Sequence, residues 1–129
     1  MDLSLRTENF ASDDQSWLGS AHGTDAARTI TLDTSAFTAG THYPDGYFKS
    51  GIPLGLITTT GKYGPYNDAG ADGTEVLAGF LFCAVDIPSV TTTDIGAAML
   101  VHGVVIESKL PVVVNAAGKA DVAGRIIFA

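Results

Sequence analysis

Between Gly40 and Asp86 the chain reads GTHYPDGYFKSGIPLGLITTTGKYGPYNDAGADGTEVLAGFLFCAVD, a stretch cut by turn-forming groups at Pro44-Asp45-Gly46, Ser50-Gly51, Thr60-Gly61, Gly64-Pro65, Asn67-Asp68 and Asp72-Gly73. The apolar runs between them are too short for helices and suit strands. Gly supplies positive φ without a Cβ clash, Pro presets φ near −65°, and Asn or Asp bond their own backbone, so each group bends the chain for its own reason. A mainly β fold follows: a small β-clip-like or β-barrel-like domain with many turns.

The size of that domain is bounded by the 129 residues of the chain, enough for one core. With 46% hydrophobic residues the chain is not wholly disordered, yet its longest apolar runs, Val76 to Val85 and Gly96 to Val101, fall far short of the roughly 20 residues that cross a bilayer. No membrane association is expected. The start Met1-Asp2-Leu3-Ser4 is acidic and lacks an apolar h-region, so synthesis in the cytoplasm is expected. Fourteen acids against seven bases give a net charge of −7, which opposes the counterion-release term that drives nucleic-acid binding. Nucleic acid is therefore not an expected partner.

Residues 1–28 carry five acids, two bases and scattered apolar side chains at Leu3, Leu5, Phe10, Trp17 and Leu18, with no sustained period of 3.6 or 2.0. They read as a flexible N-terminal arm preceding a β domain over 29–129. The single tryptophan lies in this arm. Either Phe10, Trp17 and Leu18 anchor the arm to another chain, as large aromatics do at interfaces, or Trp17-Leu18 folds back on its own domain.

In the domain itself, Thr29 to Asp33 alternates and is β-branched, which predicts the first strand, and Phe37 adds a core residue. Ile52 to Thr58 predicts a strand with Pro53 at its start or on an edge, and Thr60-Gly61 closes a hairpin onto Lys62-Tyr63. Val76 to Asp86 predicts one near-continuous apolar strand, with Gly79 at a bulge or a close backbone contact. Ile95 to Leu110 predicts two short strands broken near His102-Gly103, although Thr93-Asp94 could instead cap a short helix over Ala97 to Leu100. Val112 to Val114 resumes extended structure, Asn115 to Gly118 turns, and Val122 to Phe128 ends the chain as a strand.

Tests for chemistry fail one after another. His22, His42 and His102 are far apart in sequence with no cysteine partners, so no metal site and no cofactor are expected. The window from Asp68 to Gly79 puts Gly79 where an EF-hand needs a bidentate Glu, which leaves Asn67, Asp68 and Asp72 as turn caps or, alternatively, loose calcium or hydration ligands. Gly55 to Gly61 is one residue too long for a phosphate loop, and Tyr63 follows Lys62 where a hydroxyl is required. No G-x-S-x-G elbow occurs. His102 reads as a core or interface histidine, and Cys83, in the apolar run Phe80 to Val85, as a buried inert thiol. No catalytic residues are assigned and an enzyme is not expected.

The tyrosines suggest binding. Tyr43, Tyr47, Tyr63 and Tyr66 sit beside Gly or Pro in turns, so with Pro44 and Asp45 they form a candidate interface loop region, or else cap the ends of the β body. One alternative function is a small carbohydrate- or ligand-binding β module that uses Tyr43 to Tyr47 as a stacking platform.

The order of Thr-His-Tyr-Pro-Asp-Gly-Tyr, Ser-Gly-Ile-Pro-Leu-Gly, Thr-Gly-Lys-Tyr-Gly-Pro-Tyr, Asp72-Gly73, Ala78 to Phe82 and AAMLVHGVVIESKL at 97–110 resembles the lambda-type head decoration proteins of tailed bacteriophages. The likeness runs from about Thr31 to Leu110. It implies a β-clip-like fold and a homotrimer that binds the major capsid protein on the outer surface of the virion head. It further implies that the N-terminal segment, with Leu3, Leu5, Phe10, Trp17 and Leu18, contributes to that contact. The implied function is a structural one, a capsid decoration or cementing protein that stabilises the expanded bacteriophage capsid.

Overall fold

The short strands predicted between the turns do form, and five of them close on themselves. The computed structural model describes residues 13–87 and 93–129. In chain order the strands are β1 (Arg28–Leu32), β2 (Tyr47–Phe48), β3 (Pro53–Ile57), β4 (Lys62–Pro65), β5 (Gly79–Leu81), β6 (Val85–Asp86), β7 (Ile95–Leu100), β8 (Gly103–Val105) and β9 (Ile126–Phe128), with short helices α1 (Ala39–His42) and α2 (Ala116–Asp121). A closed barrel runs β1-β4-β3-β5-β7 and returns to β1, while β2-β6 and β8-β9 form two-stranded sheets. Within the barrel β1 lies parallel to β4 and the other pairs are antiparallel.

The hairpin β3-β4 follows the turn chemistry: Ile57 pairs with Lys62, and the Gly61 amide at φ 73° donates to the Ile57 carbonyl at 2.9 Å. Pro53 heads β3, as a residue without an amide donor should. Gly79 sits where a Cβ would run into the Leu100 carbonyl, so the close backbone contact expected there is present.

Alternation in β5 and β7 divides the apolar side chains between two clusters. Ile30, Leu32, Phe37, Phe48, Ile52, Leu54, Leu81 and Met99 pack together, and this group draws on four of the barrel strands. Their neighbours Phe80 and Leu100 belong to a second group with Trp17, Leu77, Val105, Val114, Val122 and Ile126. Strands buried on both faces read as continuous apolar runs, which accounts for the sequence around Phe80 to Phe82.

Several expectations are corrected. Val76 to Asp86 is not one strand: β5 joins the barrel and β6 pairs with β2. The break falls at Phe82, whose carbonyl accepts from Ser50 Oγ at 2.7 Å and Gln15 Nε2 at 2.7 Å, drawing the chain out of the sheet. Of the two readings of Ala97 to Leu100, the expected strand forms and the alternative helix does not, because ladders to β1 and β5 outweigh the helix preference of a few residues. At 115–118 the chain begins a helix where a turn was expected: the Asn115 side chain caps α2 by accepting from the Gly118 amide at 2.9 Å. The final strand shortens to β9, and Val112 to Val114 is not a strand.

The largest correction concerns the N-terminal segment. Residues 13–28 were expected within a flexible arm, but they belong to the packed body. Trp17 is 0% exposed and tilts against Phe80 with ring centroids 5.9 Å apart. Its Nε1 donates to Ser50 Oγ at 3.0 Å, so the buried indole keeps a partner. Around it the backbone pairs with β8: Leu18 bridges Val105, the Gly19 amide donates to the Val104 carbonyl, and the Ile106 amide donates to the Trp17 carbonyl. Trp17 and half-buried Leu18 thus fold back on their own domain. Leu3, Leu5 and Phe10 lie outside the described residues.

Candidate functional site

A groove of about 670 Å³ is lined from the barrel strands and the 73–78 loop. Leu56, Tyr63, Ala78 and Met99 form part of its apolar lining, and Val76, 53% exposed, stands at it. Charge is confined to Arg28, Glu75 and Arg125. Arg125 is held in place: Nη1 donates to the carbonyls of Ala78 at 3.2 Å and Val101 at 3.1 Å, the residues flanking β5 and β7. Such a surface, apolar with a few fixed polar groups, is suited to contact with an apolar or amphipathic partner.

The six residues of the expected interface loop region are not brought together. Tyr43 packs edge-on against Phe48 with centroids 5.3 Å apart, so it serves the barrel core and does not form a platform with Tyr47. Tyr47 and Asp45 line a separate, more polar cleft of about 330 Å³ with Lys49 and Lys109, and Asp45 pairs with Lys49 at 3.1 Å. Pro44 is exposed in the intervening turn. Tyr63 lines the apolar groove. Tyr66 lies in a third, small pocket beside His42 and Val112, and its hydroxyl donates to Asn115 Oδ1 at 2.8 Å. Partial burial, then the charges of Asp68 and Asp121, raise the Tyr66 pKa above its ordinary value.

The polar side chains of the 67–72 turn have protein partners, two of them local and one in the cap of α2. Asn67 Oδ1 accepts from the Ala69 amide, Asp68 Oδ2 from Asn115 Nδ2, and Asp72 Oδ1 from the amide and hydroxyl of Thr74. The Thr74 bonds hold the Asp72 carboxyl below the usual carboxylate range. Among the described residues no group of three or more His, Cys, Asp or Glu side chains is placed to hold a metal ion. Cys83 is half-buried, and burial together with the nearby Asp13 raises its pKa, which keeps the unreactive thiol form.

His102, read as a core or interface histidine, is exposed, which removes the core alternative. Its ring meets that of His22, with centroids 4.7 Å apart and planes at 60°. The two lie 80 positions apart in the chain, so no local spacing could have signalled this pairing. His42 stays apart: its Nδ1 accepts from the Thr38 amide at 2.7 Å, and burial lowers its pKa.

Among the described residues, no helix is long and apolar enough to cross a membrane. No protein-family model matches the chain, and comparison with curated proteins finds no match.

Proposed function

We propose that this chain is a capsid decoration protein, a non-enzymatic β module that binds as a trimer to the outer surface of an expanded tailed-phage head and cements the shell. The observation that carries the reading is the order of turns and apolar segments from Thr31 to Leu110 that resembles the lambda-type family. That stretch supplies four of the five barrel strands whole, and the remaining one, β1, in its second half. The apolar groove beside Val76 adds support, because it offers a contact surface to a neighbouring protein.

With Trp17 and Leu18 packed into the body, the candidate capsid contacts of the N-terminal segment narrow to Leu3, Leu5 and Phe10. A segment that orders only on binding costs about 1–2 kcal/mol per residue, so one such contact would be weak. Three arms on one trimer would raise the effective concentration of each and turn weak contacts into avidity. A trimer that binds the assembled lattice and not its separated subunits stabilises the shell by mass action.

The test is addition of the purified chain to expanded, undecorated heads built from the major capsid protein encoded with it. The full chain should co-sediment with heads and appear as trimers at local threefold positions by electron microscopy. Deleting residues 2–12 should leave a folded chain that no longer loads. Failure of the full chain to bind any head would overturn the reading, and unchanged loading of the truncated chain would overturn the role of the arm.

A second reading is favoured by the groove alone: a module for an amphipathic small ligand whose anionic end meets Arg28 or Arg125. Displacement of a fluorescent fatty acid by calorimetrically verified competitors, with loss in Arg125→Ala, would select it.

A further inference from the structure

The structure assigns His22 and His102 to a two-histidine site for a borderline divalent transition metal, Ni²⁺, Zn²⁺ or Cu²⁺. With a metal–nitrogen bond of about 2.0–2.1 Å, the centre of a ligating imidazole lies about 3.2 Å from the metal, so two rings bound cis have centres about 4.5–5.2 Å apart. The observed separation of 4.7 Å falls within that range. Both side chains are exposed, so a metal can approach without opening the fold, and water can fill the remaining positions. Imidazole is the ligand type that suits these ions and not Mg²⁺ or Ca²⁺.

The backbone beneath the pair is fixed rather than incidental. Gly23 has φ 79°, and a side chain there would run into the His102 carbonyl oxygen; Gly103 has φ 151°, and a Cβ there would lie 2.7 Å from the His22 carbonyl oxygen. Each glycine thus lets its own turn close onto the histidine of the other. The His22 amide donates to Ser20 Oγ at 3.2 Å, and the Gly103 amide to the Arg125 carbonyl at 3.0 Å, so both turns are tied down. A chelate formed from two preplaced rings loses less freedom on binding than one formed from two mobile loops. Bound metal would clasp the segment that follows Trp17 to the β7-β8 connection.

The experiment is isothermal titration of Ni²⁺ and, separately, Zn²⁺ into the full, tag-free chain near neutral pH, with His22→Ala, His102→Ala and His42→Ala in parallel and far-UV circular dichroism to confirm folding. We expect one metal per chain, and at least a tenfold loss of affinity in His22→Ala and in His102→Ala, with His42→Ala unchanged. Absence of binding at millimolar metal, affinity that survives either substitution, or one metal per two chains would each overturn the intrachain site. None of these outcomes depends on whether the chain binds a capsid.

Discussion

The barrel interior and the layer on its outer face use similar side chains but join them over different distances along the chain. Inside, Ile52 and Leu54 lie on or beside a hairpin strand whose partner follows a four-residue turn, and Leu81 and Met99 come from adjacent strands. Outside, Trp17 is seated against Phe80 and packs in one cluster with Val105, Val122 and Ile126, parts of the chain up to 109 positions away. The interior also takes Ile30 and Leu32 from β1, laddered to the distant β7, so what sets the outer layer apart is that it gathers around a single large ring. The outer layer should therefore be the more fragile region, although β5 and β7, which contribute to both clusters, couple the two into one unit.

The largest expected effect tests that coupling. Trp17→Ala should destabilise the chain by about 3–5 kcal/mol, the usual range for deleting a fully buried large aromatic. Far-UV circular dichroism during urea unfolding should show the barrel itself melting earlier, in a single transition. An unshifted barrel midpoint would separate the layers and break the account. Next comes Gly51→Ala: at φ 94° with Trp17 Cδ1 and Nε1 each 2.9 Å from a Cβ, it should cost about 1–3 kcal/mol. Gly46→Ala, at φ 82° with open space around it, shares the backbone strain without those contacts, so the difference in midpoint between the two reports the packing of Gly51 against Trp17 and Pro111. Ser50→Ala removes the acceptor of the buried indole N–H and should cost about 1–2 kcal/mol, read from the same urea curves.

The smallest effect lies on the barrel side. The Asp72 pKa is depressed below its ordinary 3.8, first by the Thr74 hydroxyl and then by its amide. Its stabilising contribution is therefore in place at pH values above the unfolded value and is lost as pH falls through the folded one. Asp72→Asn should lower the urea midpoint slightly at pH 7, and the gap from wild type should close in strong acid.

The same contrast explains what the sequence revealed. Alternation at Thr29 to Asp33 and the turn pairs from Gly40 to Gly73 are local signals, and they led to β1, β3, β4 and the mainly β class. Trp17 carries no period and sits among Ser and Asp, so nothing local distinguished a packed indole from one kept for a partner. Its seat is made by Ser50, Phe80 and Val105, which only the closed fold brings to it. For the same reason the histidine pair was invisible, and the four tyrosines, read as an interface loop region or as caps of the β body, lie at three different concavities and against the core.

Steady-state emission of Trp17 in the isolated chain, with acrylamide as quencher, tests the central claim most directly, since no other tryptophan contributes. A seated indole predicts blue-shifted emission and weak quenching, both abolished in urea together with the far-UV signal. Red-shifted emission quenched as readily as free tryptophan, in the folded chain, would return Trp17 to a loose arm and contradict the account.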